Sequence, residues 1–363
     1  MAEKHPAVDP DQVLRQALAM VAPGTVLRDG LERIVLGRTG ALIVLGQDKV
    51  VEQASGGGFN LDVELTATRL RELAKMDGAI IVDASVTRIL RAAAQLLPDP
   101  SIPTGETGTR HRTADRIAKQ TGFPVISVSK SMSTIALYVA GRRYVLEDRA
   151  AILARADQAI STLERYKTRF DAVAAALFAL EIEDQVTVRD TALVMQRLEM
   201  VRRIVREVNG YVVELGTDGR LLKLQLDELV AGIEADRDLL IRDYVPSSAK
   251  TPKPKAWAIA AAALDALGDT QLLDLGEVAG ALGLGNALDV AAAPRGYRML
   301  ARIPRLSDTI VDRLIAHFHR LQPLLSAGID ELLAVEGVGD ARARSIRGGL
   351  ARIAETTMLE RFV

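Results

Sequence analysis

The stretch KMDGAIIVD, residues 75–83, is the part of the sequence that most directly decides the fold. An Asp-Gly pair precedes a short apolar run, and a second aspartate ends it. A run of this length, rich in branched side chains and bounded by turn residues, predicts a buried strand. Similar apolar runs lie at 41–46, 124–129 and 134–141, again between glycine, proline or aspartate residues.

Segments with helical spacing lie around these predicted strands. Apolar residues recur at three- and four-residue steps in 13–20, 64–76 and 85–97. This periodicity predicts three amphipathic helices. Because strands and helices alternate along this part of the chain, we expect an α/β domain up to about residue 147.

The remainder of the chain has a different pattern. Residues 148–245 show helical periodicity, with one turn signal at 215–220, and predict a helical bundle or spine. The stretch 246–255 is rich in proline, serine and lysine and resembles a boundary. The last part is helical and punctuated by glycine. We therefore predict a multidomain α/β plus all-α protein, with domains at 1–147, 148–290 and 291–363.

Composition excludes several classes of protein. The 363 residues include no cysteine, which excludes disulfide frameworks, zinc–cysteine sites and thiol catalysis. The formal net charge is −1, so a nucleic-acid site has to be a local basic patch. The N-terminal residues do not resemble a secretory signal, and the apolar runs are too short to span a bilayer. We expect a cytoplasmic protein that does not enter the membrane.

The first candidate site is the turn Asp77-Gly78-Ala79. Gly78 and Ala79 are small enough for a ligand to approach the backbone, and Asp77 places a carboxylate at the edge of the predicted sheet. Metal ions and nucleotides commonly bind at such an edge. The alternative is an ordinary turn between a helix and a strand, and for an isolated Asp-Gly pair that alternative is favoured.

The second candidate site is the loop and helix start TGETGTRHRTADRIAK at 104–119. The N–H groups at a helix start and the guanidinium groups of Arg110 and Arg112 are suited to binding a triphosphate. Thr113 is a candidate cap for this helix. A solvated basic loop is the alternative. The glycine run at 56–58 lacks the lysine and hydroxyl residue of a P-loop and is a weak phosphate signal. The candidate phosphate ligands are Thr109, Arg110, His111, Arg112 and Thr113.

A third signal lies near the C-terminus, in LLAVEGVGDARARSIRGGLARI at 332–353. The turn Gly337-Val338-Gly339 precedes a helix that carries Arg342 and Arg344. Glycines let the backbone approach a DNA phosphate, and nearby arginines add attraction that does not depend on base sequence. The pattern predicts a helix-hairpin-helix that binds DNA, and an ordinary helical hairpin is the alternative. Residues 299–321 are a candidate for its partner hairpin; because their turn lacks the two glycines, a scaffold copy is the alternative.

Taken together, Asp77-Gly78-Ala79 and Arg110-His111-Arg112 resemble the paired signatures of diadenylate cyclase domains. The order of an N-terminal cyclase domain, a helical middle and a C-terminal helix-hairpin-helix is similar to the DNA integrity scanning family. The resemblance implies a central mixed sheet and the condensation of two ATP into cyclic di-AMP with Mg²⁺ or Mn²⁺. It also implies that Asp77 is catalytic and binds the metal, that Leu96 packs on the adenine and that Ser129 lies near the nucleotide.

The symmetry of the product has a consequence for assembly. Each chain carries one copy of each signature, so two ATP sites have to face each other across two protomers. The resemblance implies an octamer that also binds branched DNA. It further implies that branched DNA restrains the synthesis of cyclic di-AMP. One alternative is a DNA-binding structural or checkpoint protein whose nucleotide-binding domain is inactive. A helix-hairpin-helix nuclease is another, but the sequence shows no convincing cluster of metal-binding carboxylates.

Overall fold

The computed structural model describes residues 10–247 and 253–360. The chain divides into two compact units. The first consists of the described part of Met1–Ala159 together with Glu207–Gln225. The second consists of Ile160–Arg206 and the described part of Leu226–Val363.

A mixed sheet forms the centre of the first unit. Its strand order is β2-β5-β4-β1-β6-β7-β8, and β3 pairs with β5. The β1–β4 pair is parallel and the other described pairs are antiparallel, so the expected mixed sheet is confirmed. The strands are β1 Ala41–Leu45, β2 Ser55–Gly56, β3 Phe59–Glu64, β4 Ala79–Val82, β5 Arg88–Leu96, β6 Val125–Ser129, β7 Thr134–Val139 and β8 Arg142–Leu146.

Helices cover both faces of this sheet. In β1, Ile43 packs into one apolar cluster and Val44 into another, because successive side chains of a strand point to opposite faces. The first cluster contains residues of α1, α2 and α4, and the second contains residues of α3 and α5. The five helices are α1 Pro10–Met20, α2 Val26–Leu36, α3 Lys49–Gln53, α4 Ala67–Leu73 and α5 Thr109–Thr121.

The predicted strands and helices of this unit are largely confirmed, with one error. The four apolar runs form β1, β4, β6 and β7, and two of the three predicted helices are α1 and α4. The segment 85–97 was predicted to be helical and is instead the strand β5. Its alanines and arginines favour a helix locally, but pairing with β3 and β4 and burial of Ala92 and Ala94 outweigh that preference.

An irregularity in β5 explains why its pattern was misleading. Ala93 has φ of +52°, and the register with β4 shifts between Ala94 and Arg91. A bulge of this kind inserts a residue into the strand and breaks the two-residue alternation by which strands are recognised. In the glycine run at 56–58, Gly56 ends β2, and Gly57 and Gly58 form the turn that leads to β3.

The chain after β8 is helical, as predicted. Within the second unit one apolar cluster joins Phe178 to residues of the C-terminal helices. No helix in the described residues is both long and apolar enough to cross a membrane. The predicted boundary at 246–255 lies in part outside the described residues. The helices are α6 Arg149–Glu183, α7 Val188–Leu215, α8 Arg220–Leu229, α9 Ile233–Tyr244, α10 Lys253–Ala266, α11 Asp269–Leu272, α12 Leu275–Ala281, α13 Tyr297–Ala301, α14 Asp308–Phe318, α15 Leu321–Ser326, α16 Ile329–Leu333 and α17 Asp340–Glu360, with a 3₁₀ turn at Gly216–Gly219.

Candidate nucleotide site

A cavity of about 780 Å³ opens in the first unit, between strand ends and the start of α5. Its volume is within the range of small-molecule and cofactor sites. Eight of the ten residues predicted for the nucleotide site line it, while Asp77 and Arg112 do not. The lining residues are Leu42, Gly78, Ala79, Ala94, Gln95, Leu96, Gly108, Thr109, Arg110, His111, Thr113, Ser129, Lys130 and Ser131.

The backbone at Gly78 brings β4 close to the bulge of β5. Gly78 has φ of +108°, and an added Cβ would lie 2.6 Å from the carbonyl carbon of Ala93. A side chain at this position would therefore be strained and would collide with backbone. Asp77 precedes it on the surface, so its exposed carboxylate stands next to the cavity lining.

The N-terminus of α5 forms another part of the cavity wall. The helix begins at Thr109 with Gly108 as its N-cap, so Thr113 is not the cap that was expected. The Thr113 hydroxyl instead donates to the Thr109 carbonyl oxygen at 3.0 Å, one turn earlier. Because the helix starts earlier, Thr109, Arg110 and His111 occupy its first turn, where the N–H groups and the helix dipole favour an anion.

Arg110 approaches the chain just before β1. A Cβ on Gly40 would lie 2.7 Å from the Arg110 Nη1 atom and 3.2 Å from the Val128 carbonyl oxygen. Gly40 therefore leaves room for the guanidinium group at the cavity. Sequence reasoning missed this glycine, and its only signal was its position before an apolar strand.

His111 is held by a buried tyrosine. Its Nδ1 atom lies 2.8 Å from the hydroxyl oxygen of Tyr138, which is 1% exposed on β7. Burial lowers the pKa of His111 below its ordinary value, and the positive charges of Arg143 and Arg110 lower it further, against the opposing effect of Glu106. These effects favour the neutral form of His111.

The end of β6 provides hydroxyl groups. Ser129 is buried, its Oγ atom accepts a hydrogen bond from the Met132 N–H at 3.3 Å, and it lies 3.3 Å from the Ser131 Oγ atom. Lys130 and Ser131 also line the cavity, beside Ser129. Leu42, Ala94 and Gln95 were missed, and for the last two the cause is the error in predicting β5.

The side chains at the cavity fit a divalent metal only if a bound nucleotide supplies further metal ligands. No group of three or more His, Asp or Glu residues that could hold a metal ion occurs in residues 10–247 and 253–360. Asp77 is a single exposed carboxylate next to a cavity that combines a helix start with Arg110. Mg²⁺ is commonly held by one or two carboxylates together with substrate phosphates and water, so this arrangement fits a metal carried by a nucleotide.

The predicted C-terminal hairpin lies in the second unit, between α16 and α17. Gly337 has φ of +86°, and a Cβ there would lie 2.7 Å from the Arg313 Nη1 atom. Val338 is buried in the apolar cluster, whereas a Cβ on Gly339 would meet nothing within 4 Å. Arg342 donates to the Gly337 carbonyl oxygen, and Arg344 pairs with Asp340 at 2.6 Å.

The segment between α13 and α14 repeats the conformation of this turn. Arg305 has φ of +63° and Gly337 has φ of +86°, so both residues have a left-handed backbone. Ser307 is the N-cap of α14, and Gly339 occupies the same position before α17. Ile303 packs in the same apolar cluster as Val335. The two hairpins therefore share a backbone path although only one has the two glycines.

Comparison with known proteins decides the family. A model described as the nucleotide-binding region of the DisA bacterial checkpoint controller matches residues 28–143, and its linker region matches residues 146–291. A DNA integrity scanning protein DisA from Parafrankia sp. (strain EAN1pec) is 62% identical over 356 residues, covering 97% of this chain and 98% of the relative. The chain belongs to the DisA family. Relatives of the same name from Acidothermus cellulolyticus and Streptomyces coelicolor are also 62% identical, each covering 97% of this chain and 96% and 95% of their own lengths.

The DisA nucleotide-binding match contains the whole cavity. Every lining residue lies between Leu42 and Ser131, inside the matched range 28–143. The two hairpins begin after residue 291, where the linker match ends. The cavity therefore lies within the part of the chain that matches the DisA nucleotide-binding model.

Proposed function

We propose that this chain is a diadenylate cyclase that condenses two ATP into cyclic di-AMP and two pyrophosphates. The proposal rests on one observation. The start of β4 and the start of α5 line the same cavity. A nucleotide in this cavity would meet small residues at Gly78 and Ala79 and cationic groups at Arg110. Membership of the DisA family supports the same reaction.

The reaction needs two aligned phosphoryl transfers. The 3′-oxygen of each ATP forms a bond to the α-phosphorus of the other, the bond from that phosphorus to the bridging oxygen breaks, and pyrophosphate leaves. Because the protein supplies no covalent intermediate, it contributes alignment and stabilisation of charge. Arg110, Arg112, Thr109 and the helix start would hold the triphosphate, with Thr113 adding a hydroxyl.

Asp77 is proposed as the catalytic and metal-binding residue. Its carboxylate would orient the 3′-hydroxyl and take up its proton, and it would hold Mg²⁺ or Mn²⁺ together with the phosphates. A bound metal would neutralise part of the phosphate charge. On the other side of the nucleotide, Leu96 would pack on the adenine, and Ser129 would contact the ligand from the end of β6.

The proposed reaction requires two protomers. Each chain carries one Asp77 turn and one Arg110 loop, so the second ATP has to come from a facing copy across a two-fold axis. Asp77 and Arg112 are exposed next to the cavity rather than inside it, which suits a role at the junction of two facing nucleotides. We propose an octamer built from such pairs.

The second part of the proposal is that the C-terminal hairpins form a helix-hairpin-helix domain, about residues 291–363, that binds branched DNA. Gly339 stands open before α17, so a phosphate could approach the helix start closely. Contacts of this kind read backbone shape rather than bases. DNA binding would then report on DNA integrity by restraining synthesis.

The replacement Asp77→Asn tests the enzymatic part. We expect ATP binding within a few-fold of the wild type and a loss of about 100-fold or more in cyclic di-AMP formation, measured by mass spectrometry with Mg²⁺ or Mn²⁺. Asp29→Asn, an equal change on the exposed face of α2, is the control and should retain activity. Wild-type turnover in Asp77→Asn would remove this residue from the mechanism. Absence of product in the wild type would favour an inactive nucleotide domain.

Gly339 gives the cleaner test of the DNA part. A Cβ at Gly339 would meet no atom of the described residues within 4 Å, whereas a Cβ at Gly337 would also disturb Arg313. We expect Gly339→Leu to weaken binding of a branched DNA by about tenfold while Gly339→Ala has a smaller effect and both retain synthesis. Equal affinity in all three proteins would contradict the hairpin assignment.

A further inference from the structure

The loop that leads into α5 connects two parts of the cavity wall. It consists of residues 97–108, between β5 and α5. Leu96, just before the loop, and Gly108, its last residue, both line the cavity. Among the described residues, one backbone–backbone hydrogen bond lies within the loop, from the Ile102 N–H to the Asp99 carbonyl oxygen at 3.3 Å. The conformation of the loop therefore depends on its contacts with side chains.

Side chains from the later turns of α5 hold this loop. The Arg116 Nε atom donates to the Ile102 carbonyl oxygen at 2.9 Å. The Lys119 Nζ atom donates to the Pro103 carbonyl oxygen at 2.9 Å and to an Asp115 carboxylate oxygen at 2.7 Å. Arg116 and Lys119 are three positions apart, so they lie on the same face of the helix. Their charged donors form stronger hydrogen bonds than neutral groups do, and α5 thus holds the loop that leads to its own start.

The first turn of α5 lies outside the apolar packing of the helix. This packing against the sheet begins at Ala114, after residues 109–113. The N-cap Gly108 has no side chain with which to cap the helix start. Because the triphosphate is assigned to this first turn and adenine to Leu96, the separation of the two contacts depends on the loop that joins them.

We propose that Arg116 and Lys119 are positioning residues, which hold the loop 97–108 so that the helix start and Leu96 contact the two ends of one nucleotide at the same time. The identity of the ligand rests on the proposed function. Two contacts that are held at a fixed separation act together, because binding at one gives the ligand a high effective concentration at the other. A loosened loop lowers this effective concentration and leaves each separate contact intact.

Hydrogen–deuterium exchange with mass spectrometry tests whether these side chains hold the loop. In Arg116→Gln and Lys119→Met of the full chain, peptides that cover 97–108 should exchange about tenfold faster than in the wild type. Lys167→Met is the matched control, because Lys167 pairs on α6 with Asp171, four positions away, as Lys119 pairs with Asp115. It should leave exchange of the loop unchanged. Wild-type exchange of the loop in both α5 variants would overturn the proposal.

A second measurement tests the effect on the nucleotide. ATP, adenosine and inorganic tripolyphosphate are titrated into each protein at about 0.15 M salt, which screens the change in charge. Arg116→Gln and Lys119→Met should bind ATP about tenfold more weakly than the wild type. They should bind adenosine and tripolyphosphate within about twofold of the wild type, because each of these ligands occupies only one end of the site.

The pattern of affinities separates positioning from general damage. Equal losses for all three ligands would mean that the variants disturb the cavity itself and would overturn the proposal, as would an unchanged affinity for ATP. Neither measurement depends on turnover. ATP that binds as expected without forming cyclic di-AMP would refute the proposed reaction and leave the role of Arg116 and Lys119 standing.

Discussion

Replacing Gly78 with alanine perturbs both the sheet and the cavity, and its cost can be derived from the structure. The φ of +108° disfavours an L residue by about 1–2 kcal/mol. The new Cβ would also lie 2.6 Å from the Ala93 carbonyl carbon and 2.9 Å from its Cα, and forced backbone shifts of this kind cost about 1–3 kcal/mol. The free energy of opening the β4–β5 pair should therefore fall by about 2–5 kcal/mol.

Hydrogen–deuterium exchange with mass spectrometry measures this opening locally. Peptides that cover β4 and β5 should exchange roughly 30 to several thousand times faster in Gly78→Ala, the factor that corresponds to 2–5 kcal/mol. Gly56→Ala is the matched control in β2, where a Cβ meets nothing within 4 Å, and it should change exchange little. Equal exchange in the two variants would refute the argument from close backbone approach.

Three further predictions concern single groups. Gly40→Ala should displace the Arg110 side chain and weaken ATP binding about tenfold in a titration, with little change in thermal stability. Glu199→Ala should lower the free energy of unfolding in urea by about 3 kcal/mol, because it removes the buried carboxylate 2.5 Å from Arg237 and leaves Asp265 as the ionic partner of this guanidinium group. Backbone and hydroxyl hydrogen bonds lower the pKa of Asp83 from 3.8 to about 2, so its stabilisation is present above pH 4 and is lost as the pH falls through 2. In melting curves recorded from pH 5 to 2, Asp83→Asn should lose the part of the pH-dependent change in stability that Asp83 contributes.

The sequence was informative where local chemistry and fold agree. Ala79–Val82 is buried on both faces, so its apolar run predicts a strand without knowledge of its neighbours. The start of α5 was recognisable because glycine, threonine and arginine together mark an anion-binding helix start. These two segments and the turn before Ala79 supply seven of the fourteen residues that line the candidate cavity.

The failures arise where tertiary contacts override local preference. Residues 85–97 have helical composition, and only pairing on both edges of the strand makes β5 favourable. Gly40 matters because Arg110, 70 positions later, lies against it. The same applies to Tyr138, which looks like an ordinary core residue until the structure places His111 beside its hydroxyl.

The most direct measurement of the central claim is the stoichiometry of products from purified protein and ATP. Because each of two facing nucleotides is both nucleophile and electrophile, one cyclic dinucleotide should appear for every two pyrophosphates. Mass spectrometry and a pyrophosphate assay on the same sample determine this ratio. A ratio of one to two supports a pair of facing cavities. Release of pyrophosphate without a cyclic dinucleotide, or conversion of ATP to ADP, would contradict the account.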